Sequence, residues 1–327
     1  MIQNIVHEIM KNKFSSVVLK TGLTIVILMS LFVTLIWPET LAADSESSAA
    51  AKTSPIVLSP PRRLNTWNDI KDAWVDLKGN SVAAVGSHPE PGNVTGGAAP
   101  MVCLVRTKAS TPRGTFLVFP GGAYHGLAVM TEGLNAAELL NNQGYDVAIV
   151  AYSHGRISND ADSELHVRAK ALQDALAAVN LIQENNEKLG LHTRTLGIMG
   201  FSAGGHLTAR TFHELGTASP FAKIILIYPA YLEIKPYSVA PLGINDPVQP
   251  PNGAKAKIFV AIGDKDQPSW VSSSQAYVDA AKIHSHEAEY LLLPGLKHAF
   301  NLLQPGDASI TAAFQKAIVD FLTKSSD

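Results

Sequence analysis

The chain has 327 residues, 46% of them hydrophobic and 17% charged, which is ample for one or two packed domains and unlike the composition of a disordered chain. Lys and Arg number 26 against 28 Asp and Glu, so the positive excess that a phosphate backbone demands is missing and nucleic acid is excluded as an expected partner. A single cysteine, Cys103, rules out an intrachain disulfide framework and any CxxC redox or zinc motif.

The first 43 residues read as a targeting segment. Lys11, Lys13 and Lys20 precede an uncharged apolar run from Thr21 to Trp37, and Leu41-Ala42-Ala43 then offers the small residues at which a signal peptidase cuts. The expectation is a signal peptide over 1–43 and an exported protein, periplasmic or secreted. The alternative is an uncleaved membrane anchor over 21–37, because that run is about the shortest that spans a bilayer. No cysteine lies near the cleavage region to accept a lipid. Residues 44–61, rich in Ser and Ala with Pro55, Pro60 and Pro61, read as a flexible linker. No internal repeat or second linker follows, so 62–327 is expected to form one domain.

Within that domain short runs of Val, Ile and Leu alternate with longer helical patterns. Strands are predicted at Met101–Arg106, Thr115–Phe119, Asp146–Tyr152, Leu196–Gly200, Ala222–Tyr228, Lys257–Ile262 and Glu289–Leu293. Helices are predicted at about Glu132–Asn142, Glu164–Lys188, Ala203–Leu215, Val271–Ile283 and Ser309–Lys324. Such alternation argues for an α/β fold with a mostly parallel central sheet and helices on both faces. In a parallel sheet all strands end at one edge, and ligands bind outside it. Residues just after strands are therefore the functional candidates.

Four segments at that edge carry chemistry. After the second strand comes Pro120-Gly121-Gly122-Ala123-Tyr124-His125-Gly126, whose glycines let backbone N–H groups turn inward. Between the fourth strand and its helix lies Gly200-Phe201-Ser202-Ala203-Gly204. A G-x-S-x-G step needs glycine on both sides because strand and helix approach closely through a strained turn, which lifts the serine above the sheet edge. Ser202 is the candidate nucleophile. The N–H groups of Ala203, Gly122 and Ala123 are the candidate donors to an oxyanion. A serine needs a base to take its proton, and edge position selects among the 11 histidines. His284 and His286 precede the last strand, whereas His298 follows it in Pro294-Gly295-Leu296-Lys297-His298. His125 and His154 precede the serine in the chain, against the Ser, acid, His order of such sites, and His206 reads as a supporting residue in the first turn of the serine's helix. For the acid, Asp264 and Asp266 of Gly263-Asp264-Lys265-Asp266 compete, with Glu233 behind them. The segment Leu232–Ala254, with five prolines, is expected to be a loop over the same edge. Tyr237 within it, Trp270 and Tyr124 are candidates for substrate contact, with Tyr237 and Trp270 as platforms for a sugar ring; packing of the loop against the core is the plainer role for those two.

From about Thr115 to Phe321 the chain resembles the α/β-hydrolase superfamily, and within it the acetyl-xylan esterase and feruloyl-esterase-like group. The likeness rests on PGGAYHGL with Glu132-Gly133 after it, on ALQDALAAVNLI at Ala171–Ile182, on the block from Gly197 to Leu207, and on the Gly263–Asp266 and Leu293–His298 segments. It implies a Ser202, Asp266, His298 triad, with Asp266 as the aspartate of a G-x-x-D step. Residues Gln267 to Trp270 stand where that group usually has aliphatic residues and proline. It also implies an exported serine carboxylesterase acting without metal or cofactor on short acyl, above all acetyl, esters, with a small ester or an acetylated saccharide such as xylan as substrate. An exopeptidase or lipase-type serine hydrolase shares the same triad, and a non-catalytic binding module of this fold is the answer of a different class.

Overall fold

The computed structural model describes residues 73–79, 100–155, 161–233 and 247–324. The expected leader at 1–43, the linker at 44–61 and Tyr237 lie outside the described residues.

Among the described residues eight strands form one sheet: β1 Trp74–Asp76, β2 Met101–Val105, β3 Gly114–Phe119, β4 Tyr145–Ala151, β5 Leu196–Phe201, β6 Phe221–Ile227, β7 Lys257–Gly263 and β8 Glu287–Leu293. Their order is β1-β2-β4-β3-β5-β6-β7-β8. From β4 to β8 every neighbouring pair is parallel, while β2 runs antiparallel to both β1 and β4. Strands β3, β4 and β5 are buried along their whole length, as strands covered on both faces are. They read in the sequence as nearly unbroken apolar runs for the same reason.

Among the described residues there are five α-helices, α1 Leu134–Asn142, α2 Ala161–Leu189, α3 Ser202–Leu215, α4 Pro268–Ile283 and α5 Ala308–Thr323, the last following β8. Two features depart from expectation. Strand β1, three residues long, is too short to show a period and has no counterpart in the sequence prediction. The helix expected from Glu132 instead opens with a π-helical turn, Val129–Gly133, before α1 begins. There the N–H groups of Glu132 and Gly133 both donate to the Ala128 carbonyl, at 2.9 and 3.4 Å. Wide turns of this kind favour functional sites, and this one brings Glu132 into contact with the loop after β3.

The parallel run fixes where chemistry can sit. Pro120 after β3, Ser202 after β5, Tyr228 after β6, Asp266 after β7 and His298 after β8 all stand at the C-terminal edge.

Candidate active site

Ser202 opens α3 directly from β5 with φ of 49°, a left-handed conformation that a serine adopts only where its surroundings hold it. Close approach on either side explains the flanking glycines. A Cβ on Gly204 would lie 2.0 Å from the Phe119 carbonyl oxygen, and one on Gly200 would lie 2.2 Å from that of Gly204. The N–H of Ala230, after β6, donates to the Ser202 carbonyl at 3.0 Å and fixes the turn from its other side.

The structure brings Ser202, His298 and Asp266 together. The Ser202 hydroxyl donates to Nε2 of His298 at 2.8 Å, and Nδ1–H of His298 donates to Oδ2 of Asp266 at 2.8 Å. Asp266 is buried, and its Oδ1 accepts the N–H of Gln267 at 2.6 Å. The Asp264 carboxylate turns elsewhere, accepting the N–H of Gly295 at 2.6 Å and so joining the loops after β7 and β8. Three aromatic rings hold the imidazole's neighbourhood. Trp270 lies 4.7 Å from the His298 ring and Tyr228 lies 5.1 Å from it, centre to centre, and Phe300 packs edge-on against Tyr228.

Facing Ser202 is the loop after β3. Gly122, Ala123 and Tyr124 take φ of 132°, 55° and 61°, and the carbonyl of Gly122 accepts the N–H groups of His125 and Gly126. Among the described residues the N–H groups of Gly122 and Ala123 donate to no backbone acceptor. Ala203, second residue of α3, has no acceptor one turn back within its helix. Among the described residues three N–H groups, on the loop after β3 and at the start of α3, thus have no backbone acceptor.

Glu132 is the residue that sequence reasoning left without a role. It is buried, its Oε2 accepts the N–H of Gly121, and its Oε1 accepts the Tyr228 hydroxyl at 3.2 Å. Burial pushes its carboxyl up to about 7, against the pull of the Gly121 N–H, the His298 charge and the Tyr228 hydroxyl. A signal was present: at helical spacing Glu132 shares a stripe with Ala136 and Leu140, so a charge falls on an apolar face.

Tyr124 and Trp270 stand apart from the expectation of open substrate contacts. Tyr124 is 1% exposed and its hydroxyl bonds Nδ1 of His206 at 2.7 Å. Burial first, and then Arg168 and Arg210, hold His206 well below the usual imidazole range, so it is a neutral supporting ring. Trp270 is 5% exposed, with its ring against Tyr231 and His298, so it is a wall rather than a platform. His284 and His286 bond the carbonyls of Pro250 and Pro251, away from the serine. Among the described residues no three His, Cys, Asp or Glu side chains gather as a metal site requires.

Comparison with known proteins agrees with this architecture. A family described as alpha/beta hydrolase fold matches residues 164–254. An acetylxylan esterase of Xylanibacter ruminicola is 31% identical over 140 residues, 41% of this chain and 25% of that protein. An endo-1,4-beta-xylanase B of Butyrivibrio fibrisolvens is 33% identical over 95 residues, 29% of this chain and 14% of that protein. The chain therefore spans a quarter or less of the length of these curated relatives. Among solved structures, Thermogutta terrifontis esterase 2 phosphonylated by cyclosarin superposes with a TM-score of 0.56 at 16% identity, covering 73% of this chain and 94% of that one. The butyrate-bound form of that esterase gives 0.54 at 17% identity, with the same coverage. With its sheet order and its strand–serine–helix turn, the chain has the α/β-hydrolase fold, and it is similar to the esterases named above.

Proposed function

We propose that the chain is an exported serine carboxylesterase that removes short acyl groups, acetyl above all, from small esters and acetylated saccharides. The observation that carries the reading is the hydrogen-bonded line from Ser202 through His298 to Asp266. In this reading His298 takes the serine proton as Oγ attacks the substrate carbonyl, and Asp266 orients the ring and stabilises the imidazolium. The N–H groups of Ala203 and of Gly122 or Ala123 receive the oxyanion. His298 then returns the proton to the departing alcohol, and water releases the acid from the serine by the same route. No metal or cofactor enters.

Two features support a short acyl group on a saccharide. Trp270 packs its ring against His298 with Tyr231 behind it, and bulky rings beside the base favour a small acyl chain. The relative named acetylxylan esterase points toward acetylated xylan. Ser202→Ala should lower the hydrolysis of p-nitrophenyl acetate by at least about 10³-fold and abolish labelling by a fluorophosphonate. The same assay on long acyl esters, aminoacyl anilides and acetylated xylan fixes the class. Turnover of the anilides alone would replace the esterase by an exopeptidase, and preference for long acyl chains would replace it by a lipase-type enzyme.

A further inference from the structure

We propose that Glu132 is a positioning residue for the reaction at Ser202: its carboxylate accepts from the Gly121 N–H and from the Tyr228 hydroxyl at once, and so locks the oxyanion loop against the support of the catalytic histidine. The inference rests on the esterase reading and adds to it a fourth side chain, one that touches neither substrate nor serine oxygen.

Geometry puts Glu132 between the two halves of the machinery. On one side its Oε2 holds Gly121, the residue just before the candidate oxyanion donors. A Cβ placed on Gly121 would lie 2.9 Å from that same oxygen and 2.9 Å from the Cβ of Ser202, so carboxylate and serine close on the loop together. The Gly121 carbonyl accepts the N–H of Ala128 at 2.9 Å, which leaves the loop pinned through both of its peptide groups. On the other side Oε1 holds the hydroxyl of Tyr228, whose ring lies edge-on to His298 and whose own φ is 37°. One carboxylate therefore sets the distance between the place where negative charge develops and the ring where positive charge develops.

The ionised form is the one that does this. Two donors point at the two oxygens, and a proton on either oxygen turns one acceptor into a donor. The titratable groups facing it are Tyr228 after β6, Tyr152 after β4 and His298 after β8, with Asp266 behind Tyr228. The hydroxyl of Tyr152 donates to the Pro120 carbonyl at 2.6 Å, and burial holds Tyr152 and Tyr228 far above the range in which they would ionise. A positive charge on His298 favours the Glu132 carboxylate. Because burial brings Glu132 up to about 7, its proton comes on within the working range of an ester hydrolase.

Glu132→Gln, nearly the shape of the protonated acid, is the test. On p-nitrophenyl acetate kcat should fall on the order of 10- to 100-fold at pH 8 with KM changed less than about twofold, as for a weakened oxyanion site. The ratio of wild-type to variant kcat should then shrink toward one as pH drops from 8 to 5, because the wild type acquires the proton that the variant mimics. Glu132→Gln with Tyr228→Phe should lose less than the product of the two single losses. An unchanged kcat overturns the proposal, as does a loss whose ratio is the same at every pH, or two losses that multiply. Ser202→Ala separates this from the reading beneath it: if that variant hydrolyses the ester like the wild type, the site itself is wrong, whereas a dead Ser202→Ala beside an unaffected Glu132→Gln removes Glu132 alone.

Discussion

Single residues at this site trade stability for placement, and Glu132 shows the sign of the trade. Its carboxyl rises from an ordinary 4.5 to about 7 because burial penalises the charge. The folded state therefore holds its proton more tightly than the unfolded chain does. That contribution to stability is fully present below about pH 4.5 and is lost as pH rises through about 7. Glutamine does not titrate, so Glu132→Gln should gain on the wild type between pH 5 and pH 8, by up to about 3 kcal/mol for a shift of this size. Urea unfolding of both proteins at the two pH values reads the gain; an equal difference at both would mean that the carboxyl is not raised. At this scale legibility was uneven. Ser202 and His298 stood out because a glycine-flanked serine and a histidine after a strand each have few other reasons to be where they are. Asp266 and Asp264 sit two positions apart on one turn, and only the direction of each side chain separates the acceptor of His298 from the tie to Gly295. Glu132 carried its signal in the wrong place to be noticed, within a segment that reads as an ordinary helix start.

Elements were legible where their period was long. The parallel strands β3 to β8 fall within two residues of their predicted bounds because continuous burial makes continuous apolar runs. Strand β1 shows nothing in three residues, and the π-helical turn before α1 depends on two N–H groups sharing one carbonyl, which no side-chain pattern reports. Helix α5 illustrates a third kind of concealment. No glycine ends it; its last carbonyls are taken by side chains from elsewhere. Lys223, buried in β6, donates to the carbonyls of Phe321 and Lys324 at 3.0 and 2.9 Å, and Tyr145 and Arg113 donate to that of Leu322. A lysine in the middle of a buried strand would otherwise count against the strand, yet here it binds α5 to the sheet. Lys223→Met keeps the apolar stem and removes the donors, leaving two carbonyls to find other partners. It should cost about 1–3 kcal/mol, read as a lower urea midpoint with an unchanged slope. Activity per folded molecule should hold, since Lys223 stands on β6 well before the edge that carries Ser202.

For the whole molecule, the remaining question is where the chain works, and lengths decide what to expect. The apolar run from Thr21 to Trp37 is 17 residues, and as a helix it would extend about 25 Å at about 1.5 Å per residue. A bilayer's hydrocarbon core is about 30 Å thick, so the run suits a leader that is cut better than an anchor that stays. On the exported reading, Lys11, Lys13 and Lys20 on its N-terminal side would hold that side in the cytoplasm, and Ala42-Ala43 would be the cleavage site. Among the described residues no helix is long and apolar enough to cross a membrane. Expression of the full chain in a bacterium should therefore give a fluorophosphonate-labelled protein outside the cytoplasm whose first residue, by N-terminal sequencing, is at or near Asp44. A labelled protein of full mass that sediments with membranes and is freed only by detergent would make residues 21–37 an anchor, with the same domain facing outward at its end.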